Sequence, residues 1–287
     1  TYLKQHFSNS VYFDFLKSDE YLRYSKAPHK LREEILALKP EQIEYPIILD
    51  EVQKIPSILD EVQWLIENAN VSFILCCSSA RKLKRTGANL LGGRAWKYLF
   101  FPLVYEEITD FSLLKILLNG CIPLHSQSGN IKKALKSYIE DYLIHEIQAE
   151  GLVRNLSGFA RFLDIMPFSN GEMINFANIA WDSAIDAKTV KEYFYILEDT
   201  LLGYFIYPYS KKVNRGIITA QPKFYLFDVG LASYLSKSSF ETVESSAAGK
   251  ALENYILQEI KAYNSMKEKD YKINYWRTKT GLEVDFL

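Results

Sequence analysis

Asp50 and Glu51 stand side by side at the end of a short apolar run, Ile47-Ile48-Leu49, within YPIILDEVQKIP from Tyr45 to Pro56. Three consecutive apolar residues suit a strand buried on both faces in a parallel sheet. Two carboxylates closing such a strand lie at its C-terminal edge, where α/β sheets bind ligands. In nucleotide hydrolysis an acid there can hold magnesium, and its neighbour can orient the attacking water. Taken alone, the same residues fit a strand that ends in a solvated turn.

A second group is basic. Met173 to Asp199 reads as a first helix (Ile174 to Trp181), a turn around Ser183 to Asp186, and a second helix (Lys188 to Glu198), a helix-turn-helix pattern. Two β-prone runs follow, Tyr204 to Tyr209 and Pro222 to Phe227, joined by the basic turn Lys211-Lys212-Val213-Asn214-Arg215-Gly216. The DNA-binding reading uses Lys188, Thr189, Lys191 and Tyr195 on the second helix and Lys211, Lys212 and Arg215 on the turn. The competing reading is a packing unit for protein contacts, and Glu192, Glu198 and Asp199 on the same helix weigh toward it. The aromatic residues Tyr193, Phe194, Tyr195, Tyr204, Phe205, Tyr207 and Tyr209 read as core rather than as a base-stacking platform.

Composition excludes some chemistries. The formal net charge is −1, so the chain as a whole is no electrostatic glove for nucleic acid. Cys76, Cys77 and Cys121 fit neither a disulfide framework nor zinc-ligand spacing. His6, His29, His125 and His145 are scattered. No apolar run is long enough for a membrane span and no signal peptide is visible, so the expected location is the cytoplasm. Thr1 opens the chain without a preceding Met, and Leu287 stops it inside an expected strand; both ends are expected to be cut from a longer protein.

The elements that must hold these groups alternate. Tyr2 to Phe7 reads as a helix, Val11 to Phe15 as a strand, and Leu31 to Leu38 as a helix closed by Lys39-Pro40. The Ile47 to Asp50 strand comes next, and Pro56-Ser57 opens a helix with Ile58, Leu59, Val62 and Ile66 on one face. Val71 to Cys77 reads as a buried strand ending in Ser78-Ser79, and Trp96 to Phe101 as another, stopped by Pro102. This order predicts a parallel α/β sheet. Beyond Leu103 the pattern turns helical, at Tyr105 to Leu118, Ile131 to Gln148 and Phe159 to Asp199. The end combines a helix, Ala251 to Tyr263, with strands Ile273 to Arg277 and Glu283 to Leu287.

Three blocks in order, YPIILDEVQKIP, FILCCSSARKL (Phe73 to Leu83) and LLGGRAWKYLFFPLVYEEI (Leu90 to Ile108), carry a resemblance. The chain resembles the AAA-like P-loop ATPases of bacteria and archaea that carry a C-terminal domain of unknown function. The resemblance runs almost to the last residue. It implies an AAA-like parallel-sheet P-loop domain at 1–104, a helical lid or connector at 105–150, a winged helix at 151–240, and the start of an α/β endonuclease-like module at 241–287. It implies ATP and magnesium as ligands, with Asp50 the Walker B acid that holds Mg2+ through water and Glu51 the acid that polarises the hydrolytic water. Ser78 and Ser79 fall in the sensor for the γ-phosphate. The family usually has Thr-Gly-Ser-Ser there, and this chain has Cys76-Cys77-Ser78-Ser79; a thiol is a poor substitute for the threonine hydroxyl. Arg94 matches a Gly-Arg position and either contacts phosphate or caps a surface loop.

The Gly-rich phosphate loop with its lysine is absent from residues 1–287. TYLKQHF at Thr1 to Phe7 resembles the helix that follows that loop, which places Thr1 at or beside the motif's last residue. The chain by itself is expected to bind ATP poorly. At the other end, GKALENYILQEIKAY (Gly249 to Tyr263) and YWRTKTGLEVDFL (Tyr275 to Leu287) resemble a block similar to PD-(D/E)xK restriction-endonuclease-like folds. Carried over, Glu253 is a helix acid and Asp285 a strand acid, with Glu283 sharing its strand face. These acids either hold a metal for phosphodiester cleavage or only hydrogen-bond within the fold. Three functions follow as expectations: an ATP-dependent switch that repositions the winged helix and C-terminal module toward DNA or a protein partner, a metal-dependent nuclease regulated by ATP, and a nucleotide-binding interaction protein without turnover. A homo-oligomer is compatible with all three.

Overall fold

The computed structural model describes residues 2–78, 91–123, 130–139, 147, 153–209, 221–278 and 280–287. The chain divides into two compact units, Thr1–Lys97 and Tyr98–Leu287.

The first unit runs α1 (Tyr2–His6), β1 (Tyr12–Asp14), α2 (Ser18–Lys26), α3 (His29–Leu36), α4 (Pro40–Ile43), β2 (Ile47–Asp50), a 3-10 turn (Val52–Lys54), α5 (Ile58–Ala69) and β3 (Phe73–Leu75). Its strands form a parallel sheet in the order β1-β2-β3. Ile47, Ile48 and Leu49 are all fully buried. That is what a central strand between two neighbours and under helices on its faces requires. Leu31 and Ile35 of α3 and Ile58, Leu59, Val62 and Leu65 of α5 complete this core. The spacing of the α5 residues is the helical stripe read from the sequence, and Asn70, in the left-handed region at φ 52°, ends the helix.

Two features of this unit depart from the expectation. Helix α2 was not foreseen, although Asp19 and Glu20 in its first turn and Arg23 and Lys26 in its last complement the helix dipole. The expected strand at Trp96 to Phe101 does not form. Its residues pair with no strand among the described residues, and Trp96 is 89 % and Phe100 86 % exposed. The alternation Trp96, Tyr98, Phe100 is genuine, but a strand exists only where a neighbour accepts its hydrogen bonds.

The second unit contains a 3-10 turn (Tyr105–Glu107), α6 (Leu113–Asn119), α7 (Ile131–Ser137), α8 (Leu156–Ile165), a 3-10 turn (Met166–Ser169), α9 (Phe176–Ser183), α10 (Ala187–Asp199), β4 (Gly203–Pro208), β5 (Lys223–Leu226), α11 (Val229–Leu235), α12 (Ser246–Met266), β6 (Asn274–Arg277) and β7 (Glu283–Val284). The single helix expected over Tyr105 to Leu118 is thus broken, and α11 was not foreseen. The sheet order is β5-β4-β6-β7, with β4 antiparallel to β5, parallel to β6, and β6 antiparallel to β7. Residues assigned from the sequence to two domains, on either side of position 240, therefore contribute to one sheet.

Helices α8, α9 and α10 pack on this sheet through aromatic rings. Phe162 meets Tyr193 and Phe194, and Phe194 meets Phe205 and Phe224. The Phe162–Phe194 and Phe194–Phe224 pairs are edge-to-face, an arrangement that adds to the burial of large apolar area. Tyr193, Phe194 and Phe205 are buried in this core, whereas Tyr207 and Tyr209 stay exposed.

Asp228 joins α6 to α11. It is fully buried and accepts backbone N–H bonds from Cys121 (2.7 Å) and Leu231 (2.9 Å), the latter as the cap of α11. The helices approach closely because Gly230 lies against the backbone of Asn119 and Gly120, where a methyl group has no room. Burial pushes the Asp228 carboxyl up to about 6, against the opposing pull of its backbone donors. A carboxyl raised on folding stabilises fully below its ordinary value of 3.8, and that contribution fades as pH rises through 6. Asp228→Asn is expected to cost about 1–3 kcal/mol, since the amide offers one acceptor where two are used. The difference in urea midpoint between the native protein and this variant is expected to be larger at pH 5 than at pH 7.

Candidate functional site

Strand β2 delivers Asp50 and Glu51 to the C-terminal edge of its sheet. Asp50 pairs in register with Asp14 of β1, and its carbonyl accepts the Phe15 N–H at 3.2 Å. The Tyr12 hydroxyl donates to Asp50 Oδ2. Burial and the Asp50 carboxylate together raise the Tyr12 phenol pKa, so the phenol stays a donor. The other Asp50 oxygen accepts no hydrogen bond among the described residues. Carboxylate oxygen is the hard donor that Mg2+ prefers, so the site fits a magnesium ion held through water.

Glu51 takes the left-handed conformation at φ 60°. A non-glycine residue there is strained by roughly 1–2 kcal/mol, which ends the strand and starts the 3-10 turn. Its carboxylate accepts from Gln53 Nε2 at 2.5 Å and from Ser78 Oγ at 3.3 Å. The turn is tied to the next strand by Val52 N–H to the Cys76 carbonyl (3.1 Å) and Cys76 N–H to the Leu49 carbonyl (2.9 Å). Ser78, which ends that segment, thus meets Glu51 across 27 residues of sequence. Burial, then the Asp50 charge, pushes the Cys76 thiol up to about 11, so at neutral pH it is a weakly hydrogen-bonding thiol. Strand β3 itself is half-buried rather than fully buried as expected.

Arg94 pairs with Glu67 of α5 at 2.9 Å and also donates to the Gly92 carbonyl at 3.4 Å. Both side chains of the pair are well exposed, so the bond is weak and easily exchanged for another anion. Thr1, Ser79, Lys211, Lys212 and Arg215 lie outside the described residues. Sequence reasoning passed over Tyr12 and Gln53. A tyrosine in a strand carries no motif, and the Gln of DEVQ becomes informative only once its amide is seen buried.

On α10, Lys188 and Lys191 are exposed and form no ion pair among the described residues, while Lys191 Nζ lies 5.9 Å from the centre of the Tyr195 ring. Asp186 caps this helix by accepting the Thr189 N–H at 2.9 Å, and Asn175 caps α9. Between them Ala184, at φ 52°, makes the turn.

In the second unit Glu253 of α12, Glu283 of β7 and Asp285 meet around one ammonium. Lys223 Nζ lies 3.1 Å from Glu253, 2.6 Å from Glu283 and 3.2 Å from Asp285. The Lys223 side chain is 5 % exposed. Tyr225 donates to Glu253, and Arg277 lies 3.4 Å from Glu283. Burial alone would lower the lysine pKa, but hydrogen bonds and charge from Glu283, Glu253 and Asp285 outweigh it and hold the pKa above its usual value. The three acids named from sequence are therefore brought together, around a lysine that sequence reasoning did not single out. Among the described residues no group of three or more His, Cys, Asp or Glu is placed to hold a metal ion.

Comparison with protein families matches residues 1–109 to an AAA domain, residues 111–242 to a domain of unknown function (DUF8612) and residues 248–287 to another (DUF4143). Neither a curated protein nor a solved structure gives a match. The first match supports an AAA-like domain of the P-loop ATPase kind, with ATP as its ligand and Mg2+ its usual companion. No helix among the described residues is long and apolar enough to cross a membrane.

Proposed function

We propose that this protein, in its full-length form, hydrolyses ATP and uses the nucleotide state as a switch for its second unit. One observation carries the reading. Asp50 and Glu51 close the central strand of a parallel sheet, with Ser78 at the end of the neighbouring segment and bonded to Glu51. Asp50 would hold Mg2+ through water, and Glu51 would orient and polarise the attacking water. Ser78 would meet the terminal phosphate, with Arg94 free to leave Glu67 for the same charge. The metal supplies charge neutralisation on the phosphates when bound.

The second unit acts, in this reading, as an interaction module. The α9–turn–α10 pair followed by the antiparallel β4 and β5 supports a winged helix, and the exposed Lys188 and Lys191, which form no ion pair among the described residues, support contact with the DNA backbone. The nuclease alternative is less favoured, because the charge of Glu253, Glu283 and Asp285 is already compensated by the Lys223 ammonium.

The test is Asp50→Asn in the full-length protein, with phosphate release followed across a magnesium titration. The variant is expected to need about tenfold more Mg2+ for half-maximal release, since losing a carboxylate charge beside a water-held hard cation weakens the site by about 1.4 kcal/mol. An unchanged magnesium requirement would sink the assignment of Asp50.

A further inference from the structure

Gln53 is fully buried, in the 3-10 turn directly after Glu51. Its Nε2 donates to Glu51 Oε2 at 2.5 Å and to Ser78 Oγ at 2.8 Å, while Ser78 Oγ itself lies 3.3 Å from the same Glu51 oxygen. The three side chains close a triangle. Both hydrogens of the Gln53 amide nitrogen are thus engaged inside the protein, which makes this contact built in rather than incidental.

The hydroxyl of Ser78 has one proton. Donated to Glu51, it helps hold that carboxylate back against the end of the β3 segment. Donated instead to a phosphate oxygen, it no longer holds Glu51. The Gln53 amide keeps its grip on both groups in either case. We infer that Gln53 is the positioning residue of the site: it couples the Ser78 hydroxyl to the Glu51 carboxylate, so that a terminal phosphate engaging Ser78 is felt at Glu51. This inference rests on the nucleotide reading above.

The experiment compares Gln53→Met, close to isosteric but without a donor, with Ser78→Ala and with the Gln53→Met/Ser78→Ala pair. All are made in the full-length protein with Mg-ATP as the probe. Gln53→Met is expected to lower kcat about tenfold or more, the value of a hydrogen bond to a charged group, with KM for ATP changed less than about twofold. Ser78→Ala is expected to lower kcat too, and the pair is expected to fall short of the product of the single effects, because both act through one triangle. A merely structural glutamine would lower the urea midpoint without this split between kcat and KM. A folded Gln53→Met with native kcat overturns the inference, as does independent multiplication of the two effects. If Gln53→Met does not fold, half-buried Ser78 carries the test: native kcat in Ser78→Ala overturns the coupling, and reduced kcat at unchanged KM supports it. Glu51→Gln serves as the reference. Turnover surviving in Glu51→Gln defeats the nucleotide reading itself, whereas turnover lost there and retained in Gln53→Met defeats only the role of Gln53.

Discussion

Glu51→Gln in the full-length protein is expected to lower phosphate release from ATP by about 100-fold or more while ATP still binds. A positioned general base contributes on the order of 100- to 10,000-fold. The amide keeps the size of the carboxylate and can still accept from Gln53 and Ser78, so the fold loses little. What it loses, under the proposed assignment, is the charge that would polarise water. Mg2+ binding, proposed for Asp50, is expected to be unchanged. Single-turnover phosphate release beside equilibrium ATP binding separates the possibilities. Release near the native rate makes Glu51 an ordinary strand-ending residue. ATP binding without release in the native protein turns the reading toward a nucleotide-binding partner without turnover, to which the thiol of Cys76 in the sensor segment also points.

The second large effect is on stability. Lys223→Ala is expected to cost about 2–4 kcal/mol, read as a fall in urea midpoint at constant slope. Breaking a buried ion pair from one side costs about 3–5 kcal/mol, because the remaining charge stays uncompensated. Here three carboxylates lose their common partner, but Asp285 is half exposed and water takes up part of the loss, so the expected cost extends below the low end of that range. Glu283→Gln in the Lys223→Ala background is expected to recover part of the stability by removing one repelling charge, since Glu283 makes the shortest contact at 2.6 Å. A midpoint within 0.5 kcal/mol of native would show that the ammonium is dispensable and reopen the acids to a metal. The lysine also ties elements far apart in sequence. It sits on β5, while its partners come from α12 and from the C-terminal strand segment, so its loss is expected to loosen the whole four-stranded sheet.

Much of the site was legible because its signals are local. The apolar run Ile47-Ile48-Leu49 followed by two acids announced a buried strand with its charge at one edge, and that is where the fold puts it. The α5 stripe and the α9–turn–α10 pattern were equally readable, since helical spacing and the capping residues Asn175 and Asp186 lie within a few residues of what they control. Helix α2 was missed because only Tyr24 among its residues is buried, which leaves almost no apolar stripe to see.

What the sequence by itself determined is which residues face inward along β2, α5 and α10 and which charges end β2. Whether a β-prone segment becomes a strand, and which side chains meet, was decided only by the tertiary structure. Trp96 to Phe101 has the alternation of a strand but no strand partner among the described residues. Gln53 is an unremarked polar residue until Ser78, 25 residues on, closes on it. Nothing along the chain announces that Glu253, Glu283 and Asp285 share Lys223, between 30 and 62 residues away, as a common partner. The physical reason is one of range. Periodicity and capping are set by neighbours along the chain, whereas strand pairing and charge compensation depend on groups that only folding brings within a few ångströms.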